Sequence, residues 1–159
     1  MVSEQSTTAP GRSACGNGDP KRSLGGAAET GATGAGTPVP ARILIVEDEW
    51  FIAIESEAVL REAGFHVVGI AVTAEEAVAM AERHEPHLVL MDIRLRGERN
   101  GVDAAREIRS RFDIPCLFAT AHAEQGVRDS AQTAVPAGWL TKPFSDRQLV
   151  AAVKSALTA

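Results

Sequence analysis

His87-Leu88-Val89-Leu90-Met91-Asp92 is the stretch that decides how this chain folds. Its mostly apolar run is too short for a buried helix and reads as a strand covered on both faces. A carboxylate stands where the strand ends. In an open parallel sheet, chemistry collects at the carboxyl ends of the strands, where loops and helix N-termini meet. Asp92 is therefore either a functional group or a loop residue that starts the next helix, and its neighbours in the chain decide which.

Working outward, the pattern alternates strand and helix. Pro86 resets the chain before the quoted strand, and a charged loop from Ile93 to Asn100, with Gly97 inside it, follows. A helix is expected from about Gly101 to Arg111, with Val102, Ala105 and Ile108 at helical spacing. Upstream, Arg42 to Val46 reads as a strand. Trp50 to Ala63 reads as a helix with Phe51, Ile54, Ala58 and Val59 on one side, stopped by Gly64. His66 to Ile70 reads as a second strand, and Thr73-Ala-Glu-Glu76 is a capping box opening a helix that runs to about His84. Downstream, Ile114 to Ala119 is a strand. Glu124 to Thr133 is a weak helix whose apolar face is little more than Val127 and Ala131. Gly138 to Thr141 is the last strand, and Ser145-Asp-Arg-Gln148 caps a final helix with Leu149, Val150, Val153 and Leu157 inward. Repeated βα units with right-handed crossovers imply an α/β doubly wound parallel sheet, and the expected form is the flavodoxin-like (βα)5 fold with strand order 2-1-3-4-5.

Composition sets the outer limits. With 159 residues, 45% of them hydrophobic, the chain can fill one core with some excess length. Residues 1–40 are dominated by Gly, Ala, Thr, Ser and Pro and cannot bury enough surface to offset an ordering entropy of roughly 1–2 kcal/mol per residue. They read as a disordered, low-complexity tail before a domain at 41–159. The formal charge is −5. Acids and bases balance in the tail, so the excess lies in the domain, which makes it a poor partner for nucleic acid or for anionic membranes. No apolar run approaches the roughly 18 residues of a membrane span, and no secretory h-region is present. Cys15 and Cys116 read as free thiols, which points to a reducing, cytoplasmic location.

The expected topology brings the strand ends to one rim. Strand one ends in Glu47-Asp48-Glu49, strand three in Asp92, strand four in Thr120 and strand five in Lys142-Pro143. Strands one and three are neighbours, so carboxylates face each other. At a separation of about 4 Å they repel by roughly 4 kcal/mol at an effective dielectric of 20. A retained proton or a bound cation has to compensate. Clustered hard oxygens suit Mg²⁺. A metal, an ammonium and a hydroxyl around Asp92 are what a transferring phosphoryl group requires, with Asp92 as the nucleophile. Glu49 reads only as a helix N-terminal acid, and His66, His84 and His87 as structural.

Glu47-Asp48, Asp92, Thr120 and Lys142-Pro143-Phe144, in this order and at these strand ends, resemble the receiver domain of bacterial two-component response regulators over residues 41–158. The resemblance implies that Asp92 accepts phosphate from a sensor histidine kinase or phosphotransfer protein. It implies that Glu47, Asp48 and Asp92 hold Mg²⁺ with the backbone carbonyl of Arg94, and that Lys142 binds a phosphate oxygen. A cis bond to Pro143 would aim Lys142, Thr120 would move toward the phosphate, and Trp139 would take the place of the switch aromatic. Arg94 and His122 would flank the phosphate and slow its hydrolysis. The output surface would be the fourth helix, fifth strand and fifth helix. The chain would act through a downstream protein partner, as a monomer or a phosphorylation-dependent homodimer, and its end at Ala159 leaves no room for an output domain. It would not be an enzyme beyond promoting its own phosphorylation and dephosphorylation.

Phe118-Ala-Thr120 with Pro136-Ala-Gly-Trp-Leu-Thr-Lys-Pro-Phe144 is similar, more narrowly, to the single-domain FAT GUY receivers of alphaproteobacteria, which serve stress-response phosphorelays. Two departures stand out. The loop Leu95 to Gly101 lacks the family's usual Pro and is one residue longer. Val135-Pro136 replaces the usual Gly-Ala before strand five. The competing reading is an interaction module indifferent to phosphorylation, or a phosphate sink. An aspartate-dependent phosphohydrolase would need a second acid two residues after the nucleophile, where this chain has Arg94. A flavin binder would need a phosphate loop after strand one, where this chain has three acids.

Overall fold

The computed structural model describes residues 39–121 and 125–159. Most of the tail expected at 1–40 lies outside the described residues, and so do Cys15, His122 and Glu124. The elements in chain order are β1 Arg42–Val46, α1 Trp50–Glu62, β2 His66–Ala71, α2 Ala74–His84, β3 Leu88–Asp92, α3 Gly101–Phe112, β4 Cys116–Thr120, α4 Gln125–Ala131, β5 Gly138–Thr141 and α5 Asp146–Thr158. A 3₁₀ turn, Gln132–Ala134, extends α4. The strands form one sheet in the order β2-β1-β3-β4-β5, every pairing parallel. This is the doubly wound topology expected from the alternation of patterns.

The sheet is buried on both faces, which is why β1, β3 and β4 read as continuous apolar runs. Leu44, Val46, Val89, Met91, Cys116 and Phe118 point to one side, where Ala77, Val78 and Ala81 of α2 and Val102, Ala105 and Ile108 of α3 cover them. Ile43, Ile45, Leu88, Leu90, Leu117 and Ala119 point to the other, under Ala53 and Leu60 of α1 and Leu149, Val153 and Ala156 of α5. Alternation at period two thus feeds two separate cores from the same strands.

The helix ends follow their sequence signals. Thr73 Oγ1 accepts from the Glu76 amide at 3.2 Å, while the Glu76 carboxylate turns to the amide of Val72 at 2.9 Å and not to that of Thr73. Ser145 and Gln148 form the expected reciprocal box. A further box, Asn100 with Asp103, starts α3. Asn-x-x-Asp is a weaker signal than Ser or Thr with Glu or Gln, so the helix start is read from the apolar spacing after Gly101 and not from its cap.

One expectation is corrected. The inward face of α1 is Ala53, Ser56 and Leu60, whereas Phe51 is 87% exposed and Ile54 39%. Apolar residues run nearly all the way round the first turns of this helix, so periodicity leaves its rotation undetermined. The fourth helix has the thin apolar face expected, half-buried Val127 and buried Ala131, and the 3₁₀ turn that follows helps to tie it down. Arg106 of α3 donates to Thr133 Oγ1 at 2.8 Å and to the Ser130 carbonyl at 3.3 Å, and Ala131 and Ala134 are fully buried.

Candidate functional site

Strand register assembles the site. Val46 of β1 lies beside Met91 of β3, so Glu47 and Asp92 emerge next to each other. Asp92 lies beside Ala119 of β4, which places Thr120 one step further along the rim. Thr120 lies beside Thr141 of β5, and the Lys142 amide donates to the Thr120 carbonyl at 2.9 Å. Four residues far apart in sequence thus follow from three parallel registers.

The side chains then close on one another. Lys142 Nζ donates to Glu47 Oε2 at 2.5 Å and to Asp92 Oδ2 at 2.7 Å. Asp92 Oδ1 accepts from the Arg94 amide at 3.0 Å, and Glu47 Oε1 accepts from the Glu49 amide at 3.2 Å. One oxygen from each of Glu47, Asp48 and Asp92 falls in a group whose members lie within 4.8 Å of one another. Glu47, Asp92 and Thr120 are buried. Burial pushes the Glu47 carboxyl up to about 7, against the hydrogen bond from Lys142 and with the Asp92 charge adding to the rise. For Lys142, burial acts to lower the ammonium, but hydrogen bonds from it to Asp92 and Glu47 and their charges outweigh that and hold it above the ordinary lysine value. The pocket therefore retains protons where the ionised groups crowd, as like charges in a poorly solvated site must.

Around this centre the other expected residues are placed as follows. The Lys142–Pro143 peptide bond is cis. Trp139 is half-buried and stacks on Phe118, ring centroids 5.1 Å apart and 26° from coplanar, and the Arg128 guanidinium of α4 lies 5.2 Å from the Trp139 ring. Arg94 follows the site by two residues, its amide already engaged by Asp92. His122 lies outside the described residues. Glu49 precedes α1 and makes no side-chain capping bond.

Two residues that sequence reasoning missed also belong here. Gly101 approaches β3 so closely that a Cβ would collide with the Asp92 carbonyl and with Ile93, and its amide donates to the Ile93 carbonyl at 2.9 Å. Arg96 Nε donates to Asp48 Oδ2 at 3.2 Å. The signal for Arg96 was present in the loop Arg94-Leu-Arg-Gly-Glu-Arg99, where bases follow a strand that ends among acids.

A doubly wound sheet with an acid-rich rim, a lysine bridging two of the acids and a threonine on the adjoining strand define a class. The family model for the response regulator receiver domain matches residues 43–154, and the chain belongs to that family. The family is one of signalling regulators, not of enzymes. Among curated relatives, the chain is 40% identical over 126 residues to the transcriptional regulatory protein PdtaR of Mycobacterium tuberculosis, a match covering 79% of this chain and 61% of PdtaR. It is 37% identical over 116 residues to the phyllosphere-induced regulator PhyR of Methylorubrum extorquens, covering 72% of this chain and 43% of PhyR. Among solved structures it resembles the signal receiver domain of a modulated diguanylate cyclase from Desulfovibrio desulfuricans G20, with a TM-score of 0.71 and 29% identity over 76% of this chain and 95% of that one. No helix among the described residues is long and apolar enough to cross a membrane.

Proposed function

We propose that the domain is a phosphorylation switch in which Asp92 accepts a phosphoryl group from a sensor histidine kinase or phosphotransfer protein. The observation that supports this best is the Lys142 ammonium held 2.7 Å from Asp92 Oδ2 in the same pocket as Glu47 and Asp48. An Asp92 carboxylate oxygen attacks phosphorus, the bond from phosphorus to the donor breaks, and the donor leaves with the electron pair. The product is an aspartyl phosphate. Lys142 meets one equatorial oxygen of the transferring group and Thr120 another, so charge that develops there finds a cation and a hydroxyl in place.

The donor set fits Mg²⁺: hard carboxylate oxygens from Glu47, Asp48 and Asp92 would hold it, and the Arg94 carbonyl would join them. When bound, Mg²⁺ supplies positive charge to the phosphoryl oxygens. Glu47 has to give up its proton for this, and Lys142 has to share Asp92 with the incoming group.

The added phosphate brings nearly two negative charges. Thr120 and Lys142 turn toward it, Trp139 repacks, and the surface of α4, β5 and α5 changes for a protein partner. The cis bond to Pro143 fits the aim of Lys142 into the pocket, and Arg94 with His122 flanks the phosphate. The likeness to PhyR, whose name marks it as an induced regulator, supports a regulatory role. The motif from Phe118 to Phe144 extends that reading to stress signalling.

Acetyl phosphate with Mg²⁺ tests the chemistry. Intact-mass spectrometry should show the gain of one phosphoryl group, lost in D92N and in EDTA. No gain under any donor would leave the reading of an interaction module indifferent to phosphorylation.

A further inference from the structure

We propose that Arg96 is a stand-in cation: its guanidinium occupies Asp48 while the pocket is metal-free and competes with the divalent ion for that carboxylate. This rests on the reading of the pocket as a Mg²⁺ site. Lys142 reaches Glu47 and Asp92, and Asp48 is served instead by Arg96 Nε at 3.2 Å. The three carboxylates thus divide between two cations from different loops.

The loop explains why Arg96 can play this part. Its near end is pinned where the Arg94 amide donates to Asp92 Oδ1. Its far end is pinned where Arg99 donates to Glu107 at 2.7 Å. Between them Gly97 turns the chain at φ +117°, in a region that favours glycine. The backbone is therefore held over the rim. The Arg96 side chain, by contrast, is 81% exposed and Asp48 only 17%, so the guanidinium is in water and can leave without unfolding anything.

Charge decides when it leaves. Lys142 and Arg96 together bring two positive charges to the three carboxyl groups of the metal-free pocket. A divalent ion with Lys142 balances the three carboxylates without Arg96, whose guanidinium is then surplus and repelled. The pinned loop gives the chain a threshold: the metal must displace a tethered competitor. Exposed ion pairs of this kind are weak, so removing the competitor should tighten Mg²⁺ binding by about two- to fivefold.

Calorimetric titration of the full chain with MgCl₂, comparing wild type with Arg96→Gln, Arg96→Lys and Arg83→Gln, tests this. Arg83 lies in the last turn of α2, at the opposite end of the sheet from the site, and removes the same charge there. We expect R96Q to bind Mg²⁺ about two- to fivefold more tightly than wild type, R96K to stay near wild type, and R83Q to be unchanged. Raising the salt concentration should shrink the gap, because exposed charges are screened. Equal affinities for R96Q and R83Q, or weaker binding by R96Q, would overturn the competitor role and leave the metal site standing. Absence of Mg²⁺ binding in all four proteins would overturn both.

Discussion

Lys142 touches two carboxylates at once, and that double contact sets what its removal does. Lys142→Met leaves Glu47 and Asp92, 4% and 6% exposed, facing each other without the ammonium between them. Breaking a buried pair from one side costs about 3–5 kcal/mol, and proton uptake by Glu47 holds the loss near about 3 kcal/mol. Urea unfolding in EDTA should show it; a loss below about 1 kcal/mol would mean that the contact is solvated. Glu47 gives a second prediction. Its folded pKa, about 7, stands above the ordinary 4.5, so between these values the folded state binds more protons than the unfolded one. Stability contributed by the group is therefore full below pH 4.5 and declines as pH rises to about 7. In metal-free buffer, melting temperatures of wild type should fall relative to Glu47→Gln across that window. Parallel curves would show that Glu47 does not titrate there.

At the scale of elements, the strands were legible because burial on both faces leaves an unbroken apolar run, and the acids at their ends stood out against it. Parallel pairing then made the rim follow from sequence order. What was not legible depends on neighbours in space. The rotation of α1 is set by what it packs against, with Ala53 and Leu60 on the sheet and Phe51 left outside. The Asn100–Asp103 box, the closeness of Gly101 and the reach of Arg96 all depend on where one loop is pinned. Val135 is a departure that the sequence did show. It adopts φ +49° as the cap of the turn after α4 and is 59% exposed. A β-branched residue in the left-handed region is strained by about 1–2 kcal/mol. Glycine removes the strain but adds about 0.5–1 kcal/mol of chain entropy. Val135→Gly should therefore raise stability by about 0.5–1 kcal/mol in thermal or chemical unfolding; a decrease would mean that the valine side chain earns more in packing than the backbone loses.

At the scale of the molecule, the two cores share one sheet, so neither can open without exposing strands that the other covers. Cys116 samples this directly. It is fully buried on β4, and burial pushes its thiol up to about 12. Alkylation by iodoacetamide at mildly alkaline pH should then require unfolding of the whole domain, and should be at least about a thousandfold slower in buffer than in concentrated urea. Peptide-resolved mass spectrometry separates its signal from that of Cys15. Labelling at a comparable rate in buffer would mean that the central strands open locally.

The missing side chain at Gly101 has a wider mechanical meaning. On that flank the start of α3 is seated directly on the main chain of Asp92, with no compressible layer between them. A disturbance at the carboxylate has nowhere to travel in that direction. The opposite flank is made of side chains instead: Phe118 and Trp139 stack there with ring centroids 5.1 Å apart, and the Arg128 guanidinium lies over the Trp139 ring. One wall of the pocket is backbone on backbone, and the other is side chain on side chain.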